Sequence, residues 1–457
     1  MQKPSNPQGT RDFGPSVMRK RNYILDTIRE IFVNYGFEPL ETPALENLSL
    51  LTGKYGDEGD KLLYKIRSNK EIVNEIGSQQ ASQLKGIFPD RWIPGKSKLG
   101  LRYDLTVPFA RFVVQHRNDI TFPFRRYQIQ PVWRADRPQK GRFREFTQCD
   151  ADCIGSNSLI HEADLIQIYN EAFTALGLEK AVLRVNHRKF LEAIVDELSL
   201  DFPVGRFTTT LDKLDKIGEE GVTKELVGYG VSEEKCKKLF ELIRSNSLSV
   251  ETLQHVAASF KENALAQKAL EDLGKIVEFI KGYDLGIRVE LDLSLARGLD
   301  YYTGCIFEAV VPDSGIGSVS GGGRYDDLTG VFGLKDVSGV GISFGVDRIY
   351  EILEAQGLWP ENLHNNEAIL LCHFDEKTQQ YAAVVARKLR AQNLPCMVYP
   401  DKKRINKQLD FANKTGARYA MVIGEDEMIS GELTLKDLQL GEQQKSSLEE
   451  LIAYLKE

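Results

Sequence analysis

Side chains of different chemical types alternate along residues 142–154, and this alternation restricts the folds open to the chain. Successive residues of a β-strand face opposite sides of a sheet, so a strand here separates two chemically distinct faces. One face then carries cations, an aromatic ring, an amide and carboxylates in that order, from Arg142, Arg144, Phe146, Gln148, Asp150 and Asp152. From Phe146 to Asp152 the strand extends about 20 Å, which suits a nucleotide at one end and a small polar molecule at the other. A solvated edge-strand face is the alternative interpretation.

A second strand pattern, residues 124–134, precedes the first, and a short segment with Pro138 and Gly141 joins them. Proline and glycine in that segment indicate a turn, beside which the strand supplies Arg134. Residues 125–144 contain seven Lys or Arg and one Asp, a local net charge of +6, although the whole chain carries −7. The overall negative charge argues against a protein that coats nucleic acid indiscriminately, whereas the local basic patch indicates an anionic ligand.

The hydrophobic pattern divides the chain into three kinds of region. Apolar residues recur at helical spacing in residues 16–35, and Gly36 is placed to end that helix. The segment 188–282 is charged and helical in spacing without strong strand patterns, and we interpret it as an inserted module. Beyond a linker at 355–366, strand and helix patterns alternate, which predicts an α/β domain with a mainly parallel sheet. The predicted domains are a mixed body in two parts, 1–187 and 283–357, the helical insertion 188–282, and the C-terminal domain 366–457.

Composition excludes several classes of protein. At 457 residues the chain is too long for one compact core. No apolar run approaches the roughly 18 residues that span a bilayer, and the polar first residues lack the layout of a secretory signal. The six cysteines are too sparse for a disulfide framework, and Cys149 with Cys153 lacks the second pair that a zinc site needs. We therefore expect a cytoplasmic protein in which these two cysteines fill the core.

A carboxylate and a hydroxyl lie two residues apart in the segment LRYDLTVP. We predict a strand over 99–107, which places Asp104 and Thr106 on the same face. There they can hold an ammonium group, although ordinary strand polarity is an alternative interpretation.

Two further segments place arginines at turns. LARGLDYYTG puts Arg297 in a glycine-containing turn, with Tyr301 and Tyr302 entering the next strand. An arginine in such a turn is a surface charge unless a substrate anion lies opposite. In GVGISFGVDRI, Gly345 precedes a predicted helix, and Arg348 lies one turn inside it. Glycines allow a ligand to approach the backbone closely, but neither this stretch nor GGGRYDD matches a P-loop or a Rossmann fingerprint.

Taken together, these segments resemble the class II aminoacyl-tRNA synthetases, and more narrowly the histidyl-tRNA synthetase family, over nearly the whole chain. NPQGTRDFGP resembles the start of that family, and the helix ending at Gly36 with the strand ending at Pro43 resembles the first class motif. WRADRPQKGRFREF with QCDADCIG resembles the second motif, and GVGISFGVDRI the third. LARGLDYYTG and SGGGRYDDL resemble the two signatures of the histidine enzymes. The resemblance implies an α+β fold: an antiparallel sheet flanked by helices, with a helical insertion and a C-terminal α/β anticodon-binding domain.

The resemblance implies ATP-dependent activation of L-histidine and transfer of histidine to the 3′ end of tRNA(His), with Mg2+ accompanying ATP. No protein motif for a metal stands in the sequence. The implied ATP ligands are Arg134, Asp136, Arg142, Phe146 and Arg348, where Arg134 grips the α-phosphate and Phe146 stacks on adenine. The implied histidine ligands are Asp104, Thr106, Arg134, Gln148, Asp152, Arg297, Tyr301 and Tyr302. Arg297 and Arg134 are the implied catalytic residues.

The resemblance also implies partners. The first motif implies a homodimer, and the tail implies contact with the tRNA anticodon. Candidate tRNA contacts are Arg137, Gln139 and Lys140 in the loop of the second motif, and Lys402, Lys403 and Arg404 in the tail. A solvated helix start is the alternative for the tail residues.

Two departures from the family pattern concern site residues. Asp136 stands where the class usually has Glu, and Asp152 replaces the Glu of some members, so that its shorter side chain reaches the imidazole directly or through water.

Two other functions are alternatives to histidine activation. One is a catalytically inactive paralogue that regulates histidine biosynthesis, which would typically lose the arginines that are present here. The other is a class II ligase for a different amino acid, against which LARGLDYYTG argues.

Overall fold

The computed structural model describes residues 3–53, 56–67, 97–243, 246–260, 262–296, 301–360, 363 and 366–456. It divides into two compact units, Met1–Leu358 and Trp359–Glu457. Within these residues, none of the helices has the length and apolar character that crossing a membrane requires. Arg297, an implied catalytic residue, lies outside the described residues.

The first unit is built on a large sheet. Its strands in chain order are β1 (Glu38–Pro39), β2 (Leu45–Asn47), β3 (Lys65–Ile66), β4 (Leu99–Leu101), β5 (Phe124–Trp133), β6 (Glu145–Ile154), β7 (Val182–His187), β8 (Asn246–Ser247), β9 (Arg288–Leu291), β10 (Cys305–Val310), β11 (Ser320–Tyr325) and β12 (Gly339–Gly345). Among the described residues, nine strands form one sheet in the order β1-β5-β6-β12-β11-β10-β7-β9-β8, and β2, β4 and β3 form a small second sheet. The six central strands pair antiparallel, from β5 to β7. This arrangement confirms the predicted antiparallel sheet.

Helices cover this sheet and form the segment between β7 and β9. In chain order they are α1 (Pro15–Asn34), α2 (Leu48–Leu51), α3 (Gly56–Lys61), α4 (Thr106–Gln115), α5 (Ile160–Ala175), α6 (Arg188–Glu197), α7 (Val204–Leu211), α8 (Leu214–Gly228), α9 (Glu233–Leu242), α10 (Val250–Ser259), α11 (Ala264–Ile280) and α12 (Val346–Gln356). Helix α1 starts with Pro15 and buries Ile24, Ile28 and Phe32. Gly36 follows α1 at φ +73°, a left-handed conformation that glycine adopts without strain, as predicted for the helix end.

The segment 188–282 is helical, as its spacing predicts. Ser232, Ser249 and Asn263 each accept a backbone N–H with their side chains, which explains where three of its helices begin. The prediction missed β8, which pairs with β9 at the end of the large sheet. This strand has two residues, Asn246 and Ser247, and no apolar alternation that would indicate it.

The second unit has strands β13 (Asn366–His373), β14 (Cys396–Val398), β15 (Ala417–Ile423), β16 (Glu432–Asp437) and β17 (Gln443–Ser447), and helices α13 (Glu376–Arg390), α14 (Ile405–Thr415), α15 (Glu425–Ser430) and α16 (Leu448–Tyr454). The sheet order is β14-β13-β15-β16-β17. The first three strands pair in parallel, as predicted, whereas β16 and β17 add an antiparallel hairpin. The hairpin escaped prediction because β17, sequence QQKSS, is polar and mostly exposed.

Four predicted strands are shorter than expected. The one predicted to end at Pro43 forms β1 over Glu38–Pro39 only. The pattern at 99–107 forms β4 up to Leu101, and Thr106 begins α4 instead of continuing the strand. Asp104 Oδ1 accepts the N–H of Val107 at 3.1 Å, so this carboxylate satisfies a donor at the helix start. Strand β6 begins only at Glu145, which leaves Arg142 and Arg144 in the preceding loop. Similarly β10 begins at Cys305, after the turn that carries Tyr301 and Tyr302.

Candidate active site

Strands β6, β12 and β11 contribute residues to the lining of a cavity. Pairing places Gln148 on β6 opposite Gln130 on β5 and Gly345 on β12, and Phe146 opposite Val132. Helix α12 starts directly after Gly345 and carries Arg348 to the same region. The cavity has a volume of about 250 Å³, and the predicted site residues that line it are Arg134, Asp136, Arg142, Phe146, Gln148 and Arg348. Three arginines, two from one hairpin and one from a distant stretch of sequence, therefore line one cavity.

Arg134 is held in position by its surroundings. Its Nε donates to the carbonyl oxygen of Tyr103 at 3.1 Å, and its Nη2 lies 3.4 Å from Gln148 Oε1. The guanidinium carbon lies 4.3 Å from the centre of the Tyr103 ring and 5.1 Å from that of Phe146. Gln148 in turn donates to Ser343 Oγ at 2.9 Å. A guanidinium held in this way between two aromatic rings can bind an anion placed next to Phe146.

The other two arginines line this cavity, and each donates to a neighbouring protein oxygen. Arg142 Nε donates to Asp136 Oδ2 at 3.0 Å, and Arg348 donates to the carbonyl oxygen of Ser318. Gly141 has φ +69°, and a Cβ placed there would lie 3.4 Å from Arg348 Cγ. The turn beside Arg142 thus runs close to the side chain of Arg348, and both arginines line this cavity and a second one.

A larger cavity of about 700 Å³ adjoins the first and shares Arg142, Ser318, Gly321 and Arg348 with it. Its other lining residues include Tyr302, Glu308, Lys216 of α8, and Gln139 and Lys140 of the second-motif loop. One glycine of this cavity is required because two strands run close together there. A Cβ at Gly322 would lie 2.2 Å from the carbonyl oxygen of Gly341, so no larger residue fits between β11 and β12.

Three buried carboxylates lie beyond Gln148. Asp104, Asp150 and Asp152 are each at most 2% exposed. Tyr301 donates to Asp104 Oδ2 at 3.4 Å. Asp152 Oδ1 accepts from the hydroxyl of Tyr325 at 2.7 Å, and its Oδ2 lies 2.7 Å from Arg126 Nη2. Asp152, predicted as an imidazole partner, thus already holds two protein groups.

Sequence reasoning missed Arg126 and Tyr325. Arg126 is fully buried and lies directly across from Asp152 in the pairing of β5 with β6. Both belong to sequences that had been singled out, Arg126 to the strand pattern 124–134 and Tyr325 to SGGGRYDDL. Arg126 could have been found by asking which residues of the strand predicted at 124–134 share a face, and by aligning this strand with the next one.

Burial changes the acidity of this region. It raises the pKa of Asp150 to about 7, and the neighbouring carboxylates Asp152 and Asp104 add to the rise while Arg126 opposes it. Burial also raises the pKa of Tyr302, and the charge of Asp152 adds to that rise. Burial raises the pKa of Asp152 as well, while Arg126 and the hydrogen bond from Tyr325 oppose that rise.

The remaining predicted residues lie in several places. Thr106 is the first residue of α4, close in sequence to Asp104. Gln139 and Arg142 exchange backbone hydrogen bonds, which close the loop that also carries Arg137. Lys402, Lys403 and Arg404 are exposed and directly precede α14 in the second unit. Within the part of the chain that is described, no group of three or more His, Cys, Asp or Glu side chains is arranged to hold a metal ion.

Comparison with known proteins is consistent with this geometry. The chain matches the family model "Histidyl-tRNA synthetase" over residues 71–349 and the model "Anticodon binding domain" over 362–457. It is 49% identical over 453 residues to histidine–tRNA ligase of Cytophaga hutchinsonii, with 99% of each chain covered. It is 46% identical over 457 residues to histidine–tRNA ligase of Christiangramia forsetii, with 100% of each covered.

Solved structures agree with these relatives. The crystal structure of histidyl-tRNA synthetase from Nostoc sp. PCC 7120 superposes with a TM-score of 0.83 at 30% identity, covering 100% of this chain and 99% of the other. A Bacillus halodurans C structure, described as an ATP phosphoribosyltransferase regulatory subunit/histidyl-tRNA synthetase, has a TM-score of 0.71 at 21% identity, covering 93% and 99% of the two chains. At that identity the second likeness concerns the fold alone.

Proposed function

Because the chain belongs to the histidyl-tRNA synthetase family, we propose an assignment of its cavity residues to the steps of histidine activation. The overall reaction is ATP-dependent formation of histidyl-adenylate from L-histidine, followed by transfer of histidine to the 3′ end of tRNA(His). Full-length relatives at 46–49% identity support this function over that of a regulatory subunit. The observation that carries the residue assignment is the convergence of Arg134, Arg142 and Arg348 on one cavity.

In the first step, a carboxylate oxygen of histidine attacks the α-phosphorus of ATP, and the bond to the β-phosphate oxygen breaks. The products are histidyl-adenylate and pyrophosphate. The carboxylate needs no general base because it is already ionised, so the protein has to position two anions and stabilise charge on phosphorus. Arg134 holds the α-phosphate and the carboxylate. Arg142 and Arg348 hold the γ-phosphate, and Phe146 stacks on adenine.

ATP enters with Mg2+ bound to its phosphates, and Asp136 is the cavity carboxylate proposed to face the nucleotide. Asp136 is buried and is paired with Arg142. Arg297 is proposed to stand beside the reacting carboxylate and the α-phosphate, and it lies outside the described residues.

The histidine side of the site uses the buried acids. Asp104, Thr106 and Gln148 hold the α-amino group, Tyr301 lines the pocket, and Asp152 with Tyr302 selects the imidazole. A carboxylate offers about four lone-pair sites, so Asp152 can accept an imidazole N–H in addition to its hydrogen bond from Tyr325 and its ion pair with Arg126. A site built around such a bond rejects analogues that lack the N–H by on the order of 10⁴.

Transfer of histidine requires tRNA, and the match of residues 362–457 to the anticodon-binding model supports this partner. Arg137, Gln139 and Lys140 are proposed to contact the acceptor end, and Lys402, Lys403 and Arg404 the phosphates near the anticodon. We also propose a homodimer formed through the first motif, and a cytoplasmic location. The domain roles follow: 1–187 and 283–357 catalyse, 188–282 is an insertion, and 366–457 reads the anticodon.

The test is ATP–pyrophosphate exchange with each of the twenty amino acids, followed by aminoacylation of tRNA(His). We expect exchange with histidine alone. Absence of exchange with every amino acid would support the inactive regulatory paralogue instead. Exchange with a different amino acid would contradict the assignment of Asp152 and Tyr302 to imidazole selection.

A further inference from the structure

An N-terminal strap, residues 6–14, crosses the loop that carries Arg142. The carbonyl oxygen of Gly9 accepts the N–H of Arg144 at 2.9 Å, and the carbonyl oxygen of Gln8 lies 3.4 Å from Arg144 Nη1. Gly9 has φ +84°, and a Cβ placed there would lie 2.7 Å from Arg144 Cγ. The close contact therefore requires glycine, and it fixes the strap to the loop.

Arg11 of the strap reaches two walls of the smaller cavity. Its Nη2 lies 2.5 Å from Asp347 Oδ1, and its guanidinium carbon lies 3.2 Å from the centre of the Phe143 ring. Phe143 and Asp347 both line the cavity. One guanidinium thus connects the second-motif loop with the start of α12 by an ion pair on one side and a stacking contact on the other.

A second arginine pairs with the same carboxylate, that of Asp347. Arg21 of α1 is 4% exposed, donates to Asp347 Oδ1, and lies 3.2 Å from Thr147 Oγ1 through its Nη2. Phe13 stacks with both arginines, at 4.9 Å from Arg11 and 4.1 Å from Arg21. Two cations share one carboxylate, so this cluster adds a net charge of about +1 beside the cavity, where low solvent exposure strengthens its field.

The position of this cluster in the sequence gives it a consequence for the site. Phe143 directly follows Arg142, and Asp347 directly precedes Arg348. A contact that fixes Phe143 relative to Asp347 also fixes the backbone positions of the two arginines that are proposed to hold the γ-phosphate. Because their backbone is already fixed, these two arginines lose less conformational freedom when they bind a phosphate.

We propose that Arg11 is a positioning residue for the triphosphate end of ATP, which holds Arg142 and Arg348 in their working separation before ATP binds. This inference rests on the proposed assignment of both arginines to the γ-phosphate. It differs from a purely structural role of the strap, because a structural role predicts loss of stability without selectivity between nucleotides.

The experiment compares Arg11→Met with the unchanged chain. Methionine retains an apolar stem next to Phe143 but cannot bind Asp347. We measure KM for ATP and for histidine by ATP–pyrophosphate exchange, and Kd for ATP and for AMP by calorimetry. Small misplacements at phosphate-binding residues are costly, so we expect KM and Kd for ATP to rise about tenfold. Kd for AMP, which has no γ-phosphate, and KM for histidine should stay within about twofold.

Two further variants sharpen this comparison. Arg11→Lys keeps the charge but loses the planar fork, so ATP binding should fall between that of Arg11→Met and the unchanged chain. Lys20→Met is the matched control, because Lys20 of α1 likewise binds a carboxylate of α12, that of Glu354 at 2.6 Å, whose side chain is 50% exposed. It should leave Kd for ATP unchanged.

The proposal is overturned if Arg11→Met weakens ATP and AMP equally, or if it lowers only the melting temperature. If Arg11→Met does not fold, Arg11→Lys decides the question by the same ratio of ATP to AMP affinity. Failure of the proposed function is distinguishable, since the unchanged chain would then show no histidine-dependent exchange at all.

Discussion

The two ends of strand β6 hold their charges in different ways. At the end proposed to bind the nucleotide, which we call the nucleotide end, Arg134 and Arg142 line a cavity, and Arg142, with 44% of its side chain exposed, is paired with Asp136. At the acid end, Asp150 and Asp152 are at most 2% exposed, and the fully buried Arg126 pairs with Asp152. An anion bound at the first end would neutralise positive charge that is partly exposed, whereas the second end contains buried charges that are expensive to leave unpaired. Substitutions should therefore damage binding at the first end and folding at the second.

The largest expected effect is at the acid end. Arg126→Leu leaves Asp152 buried without its cation, and we expect the free energy of unfolding to fall by about 3–5 kcal/mol. Urea denaturation measures the loss. Arg29→Leu is the control, because Arg29 pairs with Asp26 on the exposed surface of α1, where a pair contributes about 0–1 kcal/mol. A loss below about 1 kcal/mol for Arg126→Leu would mean that the two ends do not differ as described.

Next in size is the loss of transition-state stabilisation at the nucleotide end. Arg134→Ala removes the guanidinium proposed to meet the charge that develops on the α-phosphate. We expect kcat/KM in ATP–pyrophosphate exchange to fall by about 10²–10³, with a smaller loss of stability than in Arg126→Leu. Exchange kinetics and urea denaturation of the same preparation test both parts. Exchange within about threefold of normal would exclude Arg134 from the chemical step.

The same comparison explains which parts of the candidate site could be predicted from the sequence alone. The common cavity of Arg134, Arg142 and Phe146 was accessible to prediction because these residues are local: they lie within one hairpin, although only Phe146 is on β6 itself. The acid end depends on long-range pairing. Arg126 meets Asp152 through strand register, and Tyr325 reaches it from another strand, neither of which a single strand pattern reveals.

Asp104 was misplaced for a different physical reason. The segment LRYDLTVP has the β-branched and aromatic residues that favour strands. Its Pro108, however, falls in the first turn of α4, where a missing N–H costs no helical hydrogen bond. Together with the bond from Val107 N–H to Asp104, this position favours a helix start over a longer strand.

A pH effect of intermediate size should belong to the acid end. Burial raises the pKa of Asp150 to about 7, above the value of about 4 for an exposed Asp. The folded state therefore binds the proton more tightly, and the contribution of this group to stability falls as pH rises from about 4 to about 7.

Asp150→Asn cannot titrate and should lack this loss. Urea denaturation of both proteins at intervals between pH 5 and 8 gives the difference in unfolding free energy, which we expect to favour the Asn variant increasingly up to about pH 7 and to level off above it. A difference that stays constant across this range would show that the burial of Asp150 does not shift its titration.

The smallest expected effect concerns salt. Exposed charges attract an anion less strongly as ionic strength rises, because the Debye length falls from about 10 Å at 0.1 M to about 3 Å at 1 M. Raising NaCl from about 0.05 to 0.3 M should increase KM for ATP about two- to fivefold, since Arg142 lies at the nucleotide end with 44% of its side chain exposed. KM for histidine should change less, because Asp104 and Asp152 are buried where ions do not screen them. Equal salt dependence of the two KM values in exchange assays would mean that histidine, like ATP, is bound mainly by charges within reach of solvent ions.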